Sequence, residues 1–333
     1  MNTSFLLCAV YHIWNHIYSN NPTIKPTQSY QYYKHLFVSF YLHKKILSRW
    51  KVIFHHYSKD GNDCILPLVV NKKRRTIRSI SYYGRLDYED IISSTNNPIY
   101  IGEALQNILQ PYPGYSITFE NINEDSLLFP VLKKSLLISE TCVKIELPDN
   151  YNAYFEKLSK HQRQNIRTAY NKLSKEDFAT HLVQYDTSHH VPRKVWHQCK
   201  LLYDQRHNAS GSKFKLWYER ETNPFHRILN NVQEHRIMVL FHNETPIAYM
   251  AGLFSQSQSC YYIPRLCINN EYSKYSPGIL LVNETIKQLI NEGVKTLDLM
   301  RGDEPYKFAM GGTANNNYAL NCNVNDLILQ CNQ

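Results

Sequence analysis

Within seven residues, Arg301-Gly302-Asp303-Glu304-Pro305-Tyr306-Lys307 brings together two carboxylates, a phenol and two cations. Such a set can take a proton, return one, and steady an anion. Asp303 and Glu304 are candidate bases or groups that orient an acceptor. Tyr306 is a candidate proton donor, and Lys307 a candidate partner for an oxyanion or a phosphate. A plainer alternative is that Asp303 and Glu304 cap a short helix holding Tyr306 and Lys307, with Arg301 pairing to them. Some 25 residues upstream, Ser276-Pro277-Gly278 has the form of a helix start: a capping serine, then proline where no N–H is needed. Unpaired N–H groups and roughly half a positive charge at such an end suit a diphosphate.

The elements that must position these groups follow from periodicity. Ile279, Val282, Ile286, Leu289 and Ile290 recur at helical spacing, and Gly293 ends the helix. Val294 to Met300 alternates as a strand, so the charged run sits at a strand's C-terminal end. Upstream, Arg236 to Phe241, Pro246 to Phe254 and Cys260 to Ile268 are expected to form an antiparallel meander. Gly252 permits close backbone approach, and Pro264 predicts a bulge or an unpaired stretch. The strand ending near Ile268, the helix and the strand from Val294 then make a β-α-β crossover, which places the two strands parallel. Ligands in such sheets lie at the C-terminal strand ends.

The segment from Ser276 to Lys307 resembles the "SPG … D-(x)3-G-(D/E)-x-x-YK" signature of acetyltransferases of the GNAT superfamily, in the CelD-type group related to FemAB-type transferases. The resemblance is strongest over residues 236–311. It extends to Pro67, Leu68, Gly84, Tyr88 and Asp90, and to Leu158, Ser159, Lys160, Arg163 and Arg167 of a basic helix. It implies an α/β protein of two tandem GNAT-like domains, with mixed sheets flanked by helices. The first would span residues 1–148, divergent and on the acceptor side. The second, residues 149–333, would be the acyltransferase domain, with Pro148-Asp149-Asn150 as the boundary.

It further implies that acetyl-CoA or another acyl-CoA is the donor, and that no metal is needed. Pantetheine would pair along the strand holding Cys267 and Ile268 where it parts from its neighbour. The helix start Ser276, Pro277, Gly278 and Ile279 would receive the diphosphate, with free N–H groups at Gly278, Ile279 and Ser276. The Gly-rich Q/R-x-x-G-x-G/A loop of most such enzymes is replaced here by Ser273-Lys274-Tyr275-Ser276-Pro277-Gly278. Asp303, Tyr306 and Lys307 would be catalytic. Arg301, Glu304, Arg163, Arg167, Tyr88 and Asp90 would meet the acceptor, an amine or hydroxyl of a sugar or nucleotide-sugar made for a cell-surface polysaccharide. Two other readings stand beside this: a FemAB-like transferase using aminoacyl-tRNA on a peptidoglycan precursor, and a silent partner of a polysaccharide synthase. Nucleic acid is a partner only under the first of these.

Composition bounds the rest. The chain has 333 residues, enough for two cores, and its 43% hydrophobic and 20% charged content is globular. A net charge of +9 favours anionic partners. Lys72 to Arg75 is the densest basic cluster, a solvated hairpin tip or a contact for a ligand or membrane surface. Eight cysteines without paired spacing read as reduced thiols, which points to the cytoplasm. Cys8, His12 and His16 share a helical face, but it lacks a fourth ligand and reads as packing. Cys199, His197 and Asp204 lie on one helix without an oxyanion motif, so thiol catalysis has no support. No HExxH, P-loop or G-x-G-x-x-G occurs.

Overall fold

A computed structural model describes residues 3–36, 50–79, 86–208 and 231–331. The chain divides into two compact units, 1–142 with 315–333, and 143–314. In unit 1, helix α1 (Thr3–Asn20) buries Trp14 and Ile17. Strands β1 (Trp50–Lys59) and β2 (Asn62–Asn71) pair antiparallel around Asp60-Gly61. Both turn residues have positive φ, 51° and 75°, as the twist of a two-residue hairpin demands. Lys72 to Arg75 forms the exposed tip leading to β3 (Thr76–Ser79), and the short β4 (Ile92–Ser93) also pairs with β2. Helix α2 (Pro98–Leu109), capped by Asn97, carries the chain to β5 (Ser116–Asn123), parallel to β3. Helix α3 (Leu128–Leu132) and β6 (Leu137–Glu146) follow.

Unit 2 opens with α4 (Tyr151–Lys157) and α5 (Lys160–Lys175). The basic stretch is two abutting helices, because Ser159 leaves helical geometry to cap α5 through its bond to the Gln162 N–H at 3.1 Å. Strand β7 (Thr180–Tyr185) adds a fourth member to the expected three-stranded meander, and α6 (Arg193–Asn208) comes next. Strands β8 (His235–His242), β9 (Thr245–Ser255) and β10 (Cys260–Ile268) complete the antiparallel run. Helix α7 (Pro277–Asn291) leads to β11 (Thr296–Arg301), parallel to β10, and to α8 (Pro305–Ala309). Leu280, Leu281, Ile286 and Leu289 pack α7 onto Met238, Leu240, Met250 and Leu297 of the sheet, with Tyr154, Leu158 and Ile166 from α4 and α5. Gly84 lies outside the described residues.

Finally β12 (Thr313–Asn323) pairs antiparallel with β5, and α9 (Val324–Gln330) packs Leu327 into the unit 1 core. Residues 315–333 therefore belong with unit 1, whereas the sequence reading keeps them in the second half. The alternation of β12 matches the β5 ladder, a long-range pairing that no local signal encodes. Each unit repeats one order: three antiparallel strands, a helix, then a strand parallel to the third. In unit 1 these are β1, β2, β3, α2 and β5; in unit 2, β8, β9, β10, α7 and β11.

Candidate active site

The site of unit 2 begins with a failure to pair. Strands β10 and β11 hydrogen-bond only from Cys260 to Tyr262, against Thr296 to Asp298, although β10 continues to Ile268 and β11 to Arg301. At the same point β10 slips register against β9, between Tyr262 and Arg265. Pro264 lies in that bulge and has no N–H to give to a ladder. Gly252 of β9 makes it sterically feasible: a Cβ there would stand 1.8 Å from the Tyr262 carbonyl oxygen. Past the bulge β10 and β11 no longer form a ladder, and a strand parted from its neighbour suits an extended amide-bearing ligand.

Beside the parted strands lies a cavity of about 480 Å³. Leu266 and Ile268 line it from β10, and Ser276, Pro277, Gly278, Ile279 and Val282 from α7. Tyr306, Ala309 and Met310 close it from α8 and its end, with Gln162 reaching in from α5. Asn270 and Ser273 add polar edges from the 3₁₀ turn Asn270–Tyr275. Cys267 alternates to the opposite face, fully buried, while its neighbours on either side line the cavity. Any part it takes in ligand binding runs through its backbone.

Ser276 stands at the start of α7, but not as an ordinary cap. Its φ of 55° is left-handed and its side chain makes no capping bond. Its carbonyl instead accepts the Ile279 N–H at 3.0 Å, and its own N–H donates to Ser273 at 2.9 Å. Of the three expected donors, Gly278 alone keeps an N–H without a partner among the described residues. Gly278 also keeps the approach open, since a Cβ there would lie 3.4 Å from Ile268 Cγ2. Of the nearby cations, Lys274 pairs with Glu176 at 2.7 Å, and Lys172 donates to the Lys274 backbone carbonyl at 3.0 Å.

At the far end of β11, Asp298 is buried and accepts the Met300 N–H at 2.8 Å. That bond holds Met300 in the left-handed region at φ 54°, a sparse conformation for a side-chain-bearing residue. Gly302 follows at φ 108°. Lys307 is not aimed at the cavity. It is 3% exposed, and its ammonium donates to the carbonyls of Arg301 at 2.7 Å, Gly302 at 3.1 Å and Met300 at 3.4 Å. With its hydrogens on carbonyls, it meets Glu304 Oε2 at 3.0 Å as an ion-pair contact without an aligned hydrogen bond. Lys307 thus staples the loop that presents Tyr306. Asp303 is exposed, and Asp303, Glu304 and Arg301 do not line the cavity. Tyr306 is the one titratable group among the described lining residues.

The remaining expected contacts have structural work. Arg163 donates to the carbonyls of Glu156 at 2.8 Å and Leu158 at 2.9 Å, closing the end of α4. Arg167 is exposed and lies over the Phe155 ring, 5.4 Å from its centroid. Tyr88 and Asp90 belong to unit 1 and are buried. Asp90 Oδ1 accepts the N–H groups of Ile91 and Leu128, and Oδ2 that of Leu127 at 2.6 Å. Burial nevertheless raises its carboxyl to about 6, with Lys25 pulling the other way. Sequence reasoning missed Gln162 and Met310, which carry no motif; only the packing of α5 against α8 brings them to the cavity.

No curated protein matches the sequence. Among solved structures the chain is similar to the C-terminal domain of a protein assigned as a lysylphosphatidylglycerol synthetase from Agrobacterium fabrum, at 12% identity and TM-score 0.55, covering 89% of this chain and 94% of that one. It is also similar to L-PGS from Bacillus licheniformis, at 13% and 0.55 over 90% and 95%. A third likeness is to FemX, at 10% and 0.52 over 84% and 90%. These likenesses show the fold, and their coverage takes in both units. Residues 160–308, within unit 2, match the family described as Acetyltransferase (GNAT) domain, so the second unit carries the fold of a GNAT acyltransferase.

Proposed function

We propose that the chain transfers an acyl group from an acyl-CoA, most simply acetyl-CoA, to an amine or hydroxyl of a small acceptor. The observation that carries this is the parting of β10 from β11 past Tyr262, beside the Gly278 N–H and the cavity. These features fit the donor: a strand parted from its neighbour for pantetheine amides, apolar walls for the acyl arm, and a helix start for diphosphate. Because Lys172 and Lys274 are otherwise engaged, diphosphate binding rests on Gly278 and the α7 dipole. Tyr306 delivers the proton to the departing thiolate. Lys307 and Asp298 fix the loop that presents Tyr306.

The family resemblance supports a sugar-type acceptor for a cell-surface polysaccharide, handled in the cytoplasm. Among the described residues no helix is long and apolar enough to cross a membrane. The test is thermal shift with acetyl-CoA, followed by thiol release on adding amino sugars. No shift with any acyl-CoA and no thiol release would remove this reading. A second reading draws on the fold likeness to FemX and to the lysylphosphatidylglycerol synthetase: the donor is an aminoacyl-tRNA. It predicts a tRNA complex whose affinity falls steeply with salt. A third reading, a catalytically silent partner of a polysaccharide synthase, predicts normal function after Asp303→Ala and Lys307→Ala.

A further inference from the structure

Gln162 is buried to 4% exposure, yet it lines a cavity whose other walls are largely apolar. Its amide is oriented: Oε1 accepts from Asn165 Nδ2 at 3.4 Å, leaving Nε2 to face Met310. There Nε2 meets the thioether sulfur at 2.9 Å. A thioether is a weak acceptor, and an amide nitrogen carries two hydrogens. A buried donor so poorly matched costs free energy unless something better occupies the site. Gln162 also lies in the first turn of α5, a 16-residue helix whose positive end thereby faces the cavity. Met310 and Tyr306 are four residues apart on α8 and its end, so amide and phenol share one wall.

We infer that Gln162 is a catalytic residue of the proposed acyl transfer, donating from Nε2 to the carbonyl oxygen of the bound thioester. The inference rests on the acyl-CoA reading of this cavity. In the step, the acceptor's nitrogen or oxygen forms a bond to the carbonyl carbon, and the C=O electron pair moves onto oxygen, where Gln162 holds it. The pair then returns, the C–S bond breaks, and the thiolate takes the Tyr306 proton. Tyr306 is re-protonated by the hydrogen the acceptor loses. The products are the acylated acceptor and free CoA thiol. A donor matched to developing negative charge strengthens in the transition state, so it acts on turnover more than on ground-state binding.

The experiment uses the full chain with acetyl-CoA, hydroxylamine as a generic nucleophile, and the variants Gln162→Met and Gln162→Glu. Thiol release should show kcat lowered about 10²-fold with KM for acetyl-CoA within about threefold. Isotope-edited infrared spectra of carbonyl-labelled acetyl-CoA should show the C=O stretch shifted to lower frequency on the wild type. That shift should be lost on Gln162→Met, a change that a purely structural role would not produce. Unchanged kcat, or a carbonyl band identical on wild type and variant, overturns the inference while leaving the donor assignment intact. Failure of the wild type to bind acetyl-CoA overturns both. Should Gln162→Met not fold, Gln162→Glu carries the same comparison with the shape retained.

Discussion

The carbonyl oxygen of Tyr262 occupies the space where a Cβ on Gly252 would stand, at a separation of 1.8 Å. One hydrogen atom on β9 thus permits the bulge on β10, and the bulge begins the parting from β11. Gly252→Ala should destabilise unit 2 by about 3 kcal/mol or more, since the clash is with backbone and cannot be relieved by a rotamer. Urea denaturation reads the loss, and acetyl-CoA binding should fall with it. A variant as stable as the wild type would separate the bulge from the glycine. Gly278→Ala, by contrast, meets only Ile268 Cγ2 at 3.4 Å. It should fold normally and lose donor affinity, as calorimetry with acetyl-CoA would show.

Lys307 converges on the carbonyls of Met300, Arg301 and Gly302. Lys307→Met should cost about 2–4 kcal/mol, because those carbonyls lose their ammonium donor under the loop. Lys307→Arg should not rescue it, since a planar fork cannot aim at three successive carbonyls. Chemical denaturation of the two variants checks this. A stable Lys307→Met protein with only turnover lost would return the lysine to direct catalysis.

Tyr306 is 38% exposed and lines the cavity, so Tyr306→Phe removes the hydroxyl while keeping the ring in place. Tyr306→Phe should keep its melting temperature within about 2 °C of the wild type. Its kcat for thiol release should drop about 10²-fold. Full turnover in Tyr306→Phe would show that solvent protonates the thiolate.

Two groups of unit 1 push its stability in opposite directions with pH. Burial raises Asp90 to about 6, so between pH 4 and 6 the folded state holds a proton that the unfolded chain has released, and stability falls as pH rises. Burial lowers His55 to about 4, so over the same window the unfolded chain binds a proton that the folded state refuses, and stability falls as pH falls. Asp90→Asn keeps the Oδ1 acceptor for Ile91 and Leu128 but removes the first effect. Its stability should decline from pH 6 to pH 4 more steeply than the wild type's, by up to about 3 kcal/mol. Urea melts at pH 4, 5 and 6 compare the slopes, and parallel slopes would show that Asp90 does not titrate there.

Arg163 tests the basic helix. Arg163→Met should lower stability by about 1 kcal/mol through the carbonyls of Glu156 and Leu158, and Arg167→Met should be neutral. If instead only donor or acceptor binding changes, with no shift in the denaturation midpoint, the guanidinium serves a ligand.

By itself the sequence determined the local elements of unit 2. The apolar stripe of α7, the proline at its first turn, the glycine after its end and the alternation of β11 are read within one window, because short-range periodicity and capping are local physics. Pro264 and Gly252 likewise announced a bulge and a close approach on their own terms. The tertiary structure alone decided the rest. It placed β12 beside β5, repeated one strand order in two units that share no visible sequence repeat, and turned Ser276 left-handed so that its carbonyl claims the Ile279 N–H. It also buried Lys307 beneath the loop and set Gln162 against Met310, 148 residues apart in the chain. Each of these depends on long-range pairing or on which neighbour fills a space. Such contacts are chosen when the whole core packs: β12 and β5, or Gln162 and Met310, share no window of sequence. For Ser276 and Lys307 the partners are near in sequence, but the packing selects the conformation.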